Sequence, residues 1–204
     1  PEIKGLDVSS FKEQIHYMRK YYNFVTMEEV IYSIDNEKTI PDKSILLTFD
    51  DAYMDHYSTV FPILDKYDIQ GSFYVPSKAI TEHTVLDVNK IHFILAAVKD
   101  KSKLVNELKK LIKVYQKVYS LQNFDYYYKK LARASVLDTK DVIFIKRLLQ
   151  VELVENLRIK IINILFEQYV GVSENAFSRE LYMNEEQLEH MLRSGQHIGN
   201  HGYN

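Results

Sequence analysis

The sequence predicts an α/β fold with parallel strands, interrupted by a large all-helical segment. Three observations predict it. An apolar run, Ile45-Leu46-Leu47-Thr48-Phe49, climbs into two adjacent carboxylates, Asp50 and Asp51, as a buried strand ending in charge would. A second strand-like stretch, Ser72-Phe73-Tyr74-Val75, follows a short helical pattern. Strand, helix, strand within about thirty residues is a βαβ unit, which makes the strands parallel. Between residues 85 and 170 both proline and glycine vanish, and apolar residues recur at helical spacing.

Composition bounds the function. At 204 residues the chain can form one domain with a full core, or a domain carrying a large insertion. A net charge of -2 leaves no electrostatic footprint for nucleic acid or an anionic membrane. Cysteine is absent, so disulfides and thiolate metal sites are excluded and His, Asp and Glu remain as ligands. No stretch approaches the ~20 apolar residues of a membrane span. The lack of a visible signal peptide favours a cytoplasmic location, although the chain opens at Pro1 and a trimmed start would hide one. Sixteen tyrosines against no tryptophan suit surfaces that are part apolar and part hydrogen-bonded, such as sugar sites or interfaces.

Taken in order, residues 9–22 read as a helix capped by Ser9 or Ser10, with Phe11, Ile15, Met18 and Tyr22 on one face. Thr26 caps a second helix whose apolar stripe is Val30, Ile31 and Ile34. A proline-containing loop leads into the strand at residues 45–50. Residues 52–58 read as a polar, aromatic loop, and residues 60–67 as a helix with Pro62 in its first turn. Gln70-Gly71 turns the chain into the second strand, which Pro76 stops. Four helices are then marked by Val88, Ile91, Leu95 and Val98; by Leu104, Leu108, Leu111, Val114 or Tyr115, and Val118; by Ile143, Leu148 and Leu149 behind Asp138 or Thr139; and by Leu157, Ile161, Ile164, Leu165 and Phe166, ending near Gly171. Tyr126-Tyr127-Tyr128 is a core or interface cluster, or the lining of a cleft. Asn184, with Gln187 three residues on, opens a final capped helix with Leu188, Met191 and Leu192 facing inward. Gly195 ends it, and a strand-like segment carries His197 and His201.

Ligands of wound α/β sheets sit at the carboxyl ends of strands, so Asp50 and Asp51 are the first site candidates. Carboxylate oxygen and imidazole nitrogen are the ligand types of catalytic zinc, which brings Asp51 and His201 together as candidate ligands. A neighbouring carboxylate outside the metal's ligand set can serve as a general base. Consecutive strand residues point to opposite sides, so the two acids are expected to diverge. Taken locally, a pair of aspartates is also commonly a solvated turn or a helix cap, and a late histidine is often structural. His56 reads by default as loop surface, with a place bordering the site as the alternative, and His197 reads as structural.

The surrounding residues go further. Thr48-Phe49-Asp50-Asp51-Ala52-Tyr53, then Phe61-Pro62-Ile63-Leu64 and Gly71-Ser72-Phe73-Tyr74-Val75, resemble the polysaccharide deacetylase domain of carbohydrate esterase family 4. Its first motif is TFDD, usually followed by glycine and an aromatic. Gly195-Gln196-His197-Ile198-Gly199-Asn200-His201 resembles that family's approach to its second motif, H-x-x-x-H. The resemblance is firm over residues 44–80 and 180–204. Members with a long helical insertion, often linked with surface-polysaccharide formation, look similar over the middle as well.

The resemblance implies a partial distorted (β/α) barrel of the polysaccharide deacetylase type: residues 1–84 as its first part, 85–178 as a helical insertion, and 179–204 as its continuation. It implies Asp50 as the catalytic general base, and Asp51 and His201 as ligands of a divalent metal ion, zinc above all. The second histidine of H-x-x-x-H would fall immediately after Asn204, so the chain resembles a portion of a longer protein, inactive by itself. The implied activity is metal-dependent removal of N- or O-linked acetyl groups from a carbohydrate substrate. Two alternatives stay open: a non-catalytic carbohydrate-binding or assembly protein of the same fold, and a deformylase-type amidohydrolase on an amino sugar. The insertion could form a homo-oligomer, cover the cleft or dock a partner. Ala52 departs from the family's glycine; if the backbone there needs a positive φ, alanine costs about 1 kcal/mol.

Overall fold

The structure is a computed structural model that describes residues 5–203. The chain divides into two compact units, one over residues 85–173 and the other over residues 5–84 and 174–203.

The discontinuous unit opens with α1 (Val8–Tyr21). Its cap is Asp7 rather than Ser9 or Ser10: the Asp7 carboxylate accepts the Ser10 N–H at 2.9 Å and both serine hydroxyls. A carboxylate outcompetes a hydroxyl for the orphan N–H groups at a helix start. Next come β1 (Asn23–Phe24) and α2 (Met27–Asp35), which opens with a full capping box between Thr26 and Glu29. The apolar stripe expected on α2 is not core. No α2 residue is buried, and Ile31 and Ile34 are 47% and 71% exposed, because no layer covers that face among the described residues.

The run at residues 45–50 is not one buried strand. It splits at Leu46 into β2 (Ser44–Ile45), paired in parallel with β1, and β3 (Leu47–Asp50), which belongs to a different sheet. Along β3 burial alternates: Leu47 and Phe49 are part-covered while Thr48 and Asp50 are exposed, the period of a sheet with one covered face. Phe49 stacks on Phe73 at 4.8 Å and meets Phe11 edge-on.

The expected loop at residues 52–58 is instead a tight turn followed by helix. Met54 and Asp55 are already helical, and a widened π-type turn at His56–Val60 runs into α3 (Phe61–Asp65). Pro62 explains the widening, because it has no N–H to give Ser58 and its ring crowds that carbonyl. The preceding amide, Phe61 N–H, reaches back to His56. Then follow β4 (Gly71–Val75) and the short α4 (Ser77–Thr81), which the sequence reading missed.

The all-helical unit comprises α5 (Asp87–Ala97), α6 (Lys101–Tyr115), α7 (Phe124–Leu131), α8 (Lys140–Arg147) and α9 (Glu155–Tyr169). Its core is Ile91, Ile94, Leu104, Leu108, Ile112, Phe144, Leu148, Leu157, Ile161 and Leu165, all nearly inaccessible to solvent. On α6 the buried face runs Leu104, Leu108, Ile112, a strict i, i+4, i+8 line, which leaves Val114 and Val118 exposed. Thr139 caps α8, and Gly171, with φ at 69°, follows α9. The tyrosine triplet lies on α7, where Tyr127 is buried and Tyr128 donates to Asp141.

The first unit resumes with α10 (Glu174–Leu181), α11 (Glu185–Arg193) and β5 (His197–Asn200). Asn184 and Gln187 form the expected capping box on α11; of its inward residues Met191 is buried, but Leu192 is 59% exposed. The sheet order is β3-β4-β5, all parallel. Among the described residues the five strands form this three-stranded sheet and the separate β1-β2 pair, an α/β arrangement with parallel strands. No described helix is long and apolar enough to cross a membrane.

Candidate functional site

The site forms where β3 and β5 end on either side of β4. Register places Asp50 opposite Tyr74, and Val75 opposite Asn200. The His201 N–H continues the ladder one residue further, onto the Val75 carbonyl at 3.0 Å. Beyond it, the carbonyls of Gly202 and Tyr203 accept the N–H groups of Ser77 and Lys78 at the start of α4. These bonds tie the backbone on both sides of His201 to the central strand and its continuation.

Two features draw β4 and β5 together. Gly199 lies against the Tyr74 ring: a Cβ at that glycine would sit 2.7 Å from ring carbons. At the other end of the strands, the buried Gln196 side chain accepts the Gly71 N–H at 2.8 Å and donates to the Ile69 carbonyl. Gln70 adds a bond to the Gly195 carbonyl at 3.0 Å. The sequence reading did not assign Gln196 a role; a lone glutamine carries no periodic signal.

After Asp50 the backbone enters the left-handed region twice in succession, at Asp51 (φ 71°) and Ala52 (φ 51°). For residues with a Cβ this costs about 1–2 kcal/mol each. Ala52 is fully buried, so its small side chain is what the turn can accommodate. The positive φ foreseen at this position is present, in alanine rather than glycine.

The turn changes where the acids point. Rather than diverging, they bracket one imidazole: Asp50 Oδ2 lies 3.8 Å from His201 Nε2, and Asp51 Oδ1 lies 3.8 Å from His201 Nδ1. The alternation rule holds for extended strand, and Asp51 has already left it. At 3.8 Å neither contact is a hydrogen bond. Asp50 is the more open acid, with 61% of its side chain exposed against 22% for Asp51. Among the described residues no group of three or more His, Asp or Glu side chains is arranged to hold a metal ion.

Two aromatic neighbours stand behind the acids. Burial first, and the charge of the nearby Asp51 carboxylate second, push the Tyr53 hydroxyl well above the usual tyrosine range, so it stays protonated. His56, expected on a loop surface, packs against the rings of Phe49, Tyr53 and Phe73 at 5.6–5.8 Å. Its Nδ1 is buried and has no hydrogen-bond partner. Burial holds its pKa below the ordinary value, against the pull of Asp55, Asp51 and Asp50. The widened turn hid it, because a π-type turn breaks the 3.6-residue period. His197 starts β5, at the opposite end of the strand from His201, with Nδ1 3.5 Å from Glu28.

Comparison with known proteins places the chain in a family. The family profile described as polysaccharide deacetylase matches residues 37–143, more than half of the chain. The chain belongs to the polysaccharide deacetylase family. Among curated relatives, the Bacillus subtilis (strain 168) protein named "Putative polysaccharide deacetylase YxkH" is 32% identical over 59 residues, 29% of this chain and 21% of that protein. The Escherichia coli (strain K12) poly-beta-1,6-N-acetyl-D-glucosamine N-deacetylase is 35% identical over 60 residues, 29% of this chain and 9% of that protein. The matches to these deacetylases therefore span about a fifth of the Bacillus protein's length, and less of the Escherichia one. Among solved structures, IcaB from Ammonifex degensii is 29% identical with a TM-score of 0.36, over 38% of this chain and 34% of that one.

Proposed function

We propose that this polysaccharide deacetylase chain belongs to a metal-dependent hydrolase that removes acetyl groups from a carbohydrate. In this reading Asp50 is the general base, and Asp51 and His201 are two ligands of a zinc ion. The observation that carries it is the His201 imidazole held between the two strand-end carboxylates.

The donors suit the metal. A zinc ion with bonds of about 2.1 Å holds neighbouring ligand atoms about 3.4 Å apart in tetrahedral geometry. Asp51 Oδ1 and His201 Nδ1, at 3.8 Å, are within a few tenths of an ångström of that spacing. When bound, the ion would supply Lewis acidity toward the acetyl carbonyl and acidify water in the site.

The chain's own residues supply the rest. Asp50, exposed at the strand end, accepts the proton of the attacking water at its carboxylate. Water oxygen bonds to the acetyl carbon, and the carbon–nitrogen or carbon–oxygen bond breaks as the proton taken from water is returned to the departing sugar nitrogen or oxygen, which leaves as the amine or hydroxyl while acetate is released. The Escherichia relative's name, an N-deacetylase of an N-acetylglucosamine polymer, favours the amide over the ester as substrate. The β3-β4-β5 sheet with its flanking helices is consistent with part of a (β/α) barrel, which we include in the proposal. The test is acetate release from acetylated amino-sugar oligomers by the full-length protein with zinc. Asp50→Asn and Asp51→Ala should each abolish it; undiminished turnover in both variants defeats the assignment.

A further inference from the structure

We infer that a cleft between α4 and the α10–α11 connection binds a further sugar residue of the polymer, the neighbour of the one being deacetylated. The inference rests on the reading of Asp50, Asp51 and His201 as a deacetylation site, and names what lies beside it.

The cleft has a volume of about 500 Å³. Clefts of about 300–1,000 Å³ are the size that encloses whole small-molecule ligands, so there is room for a complete sugar residue rather than an acetyl group alone. Its walls are fixed to each other. Ser178 of α10 is 2% exposed, and its hydroxyl donates between the carbonyls of Ala79 at 3.4 Å and Thr84 at 3.1 Å. That bond ties α10 to α4 and to the segment after it.

Each wall is also anchored beside a residue of the site. Met183, in the lining, donates its N–H to the Ala52 carbonyl at 2.8 Å, one residue past Asp51. Tyr182 next to it stacks on Tyr53 at 5.9 Å. On the other wall, the N–H groups of Ser77 and Lys78 at the start of α4 donate to the carbonyls of Gly202 and Tyr203, the two residues after His201. The cleft is therefore flanked by the two backbone segments that carry Asp51 and His201, where the neighbour of a sugar bound at the site would lie.

The lining selects the ligand class. Ile80 and Met183 are apolar, while His83, Arg179, Glu185 and Glu186 bring donors and acceptors. A sugar residue matches both halves, with apolar C–H faces and with hydroxyls that donate and accept. Two carboxylates beside one guanidinium disfavour a polyanion. Arg179 is steadied by a bond from its Nε to Asn175 at 3.1 Å, and its guanidinium is the strongest donor in the lining.

The test compares acetate release, by the full-length protein with zinc, from a single N-acetylated amino sugar and from its tetramer. Wild type should turn over the tetramer with the lower KM. In Arg179→Ala the kcat/KM ratio of tetramer to monosaccharide should fall about tenfold, through KM. Glu186→Ala should lower the ratio in the same direction. Calorimetry on Asp50→Asn reads the same contact without turnover: adding Arg179→Ala should weaken tetramer binding about tenfold. A ratio and a tetramer affinity that both stay as they were overturn the inference and leave the deacetylase reading standing. An equal loss of kcat/KM on both substrates overturns it as well. No acetate from either substrate removes the deacetylase reading, and this inference with it.

Discussion

His201 Nδ1 lies 3.8 Å from Asp51 Oδ1, although the two residues stand at the ends of strands separated by β4. Neighbouring strands run about 4.8 Å apart, so β3 and β5 are roughly twice that distance from each other. Asp50, the last residue of β3, already reaches that imidazole at 3.8 Å, and the left-handed turn at Asp51 brings a second carboxylate to it. The site therefore depends on the packing of β5 against β4 and on the turn after β3.

Gly199→Ala tests the first dependence. The added Cβ would meet the Tyr74 ring, and the ring must move or β5 must shift away, carrying His201 with it. Overpacking of this kind costs about 1–3 kcal/mol. Urea unfolding should show that loss, and zinc affinity should fall as well. Tyr74→Leu added to Gly199→Ala should recover part of both.

The turn itself is tested at Ala52. Glycine there relieves about 1–2 kcal/mol of left-handed strain. It also forfeits about 0.8 kcal/mol of methyl burial and adds chain entropy to the unfolded state. Ala52→Gly should therefore lie within about 1 kcal/mol of wild type by chemical denaturation. Ala52→Val forces a β-branched residue into a fully buried left-handed position and should cost at least about 2 kcal/mol.

Gln196 should prove a structural clamp. Gln196→Ala leaves the buried Gly71 N–H without its acceptor, a loss of about 1–3 kcal/mol. Hydrogen exchange of the Gly71 amide should accelerate in the variant, while exchange within the all-helical unit stays as in wild type.

His56 sets a pH dependence of stability. Its folded pKa lies below the ordinary 6.5, so the unfolded chain binds its proton more readily than the native state does. Stability is then fully present above about pH 6.5 and is lost as pH falls from there toward the folded value. Urea midpoints of the metal-free protein, measured between about pH 7 and pH 5, should fall more steeply in wild type than in His56→Asn. Equal slopes would remove His56 as the cause.

Much of this was legible in the sequence, and the misses share physical causes. The TFDD run and the late His201 were singled out by residue type, and the structure brings their side chains together. The capping boxes at Thr26 and Asn184 were readable because they are local. The split at Leu46 was not, because a continuous apolar run says nothing of a strand's hydrogen-bond partner. The exposed face of α2 was misread because periodicity reports an apolar stripe, not what covers it. Asp50 and Asp51 were expected to diverge because the alternation rule was applied one residue past the strand. His56 was read as loop surface, and its burial was missed because it sits in a widened turn that breaks the helical period.

The central claim is that Asp51 and His201 hold one metal ion beside Asp50. Anomalous diffraction at the zinc edge, from crystals of the full-length protein soaked in zinc, tests it most directly. The account predicts one strong peak within about 2.2 Å of an Asp51 carboxylate oxygen and a His201 ring nitrogen, with Asp50 outside bonding distance. A zinc peak elsewhere, or none at these residues under saturating zinc, would contradict it.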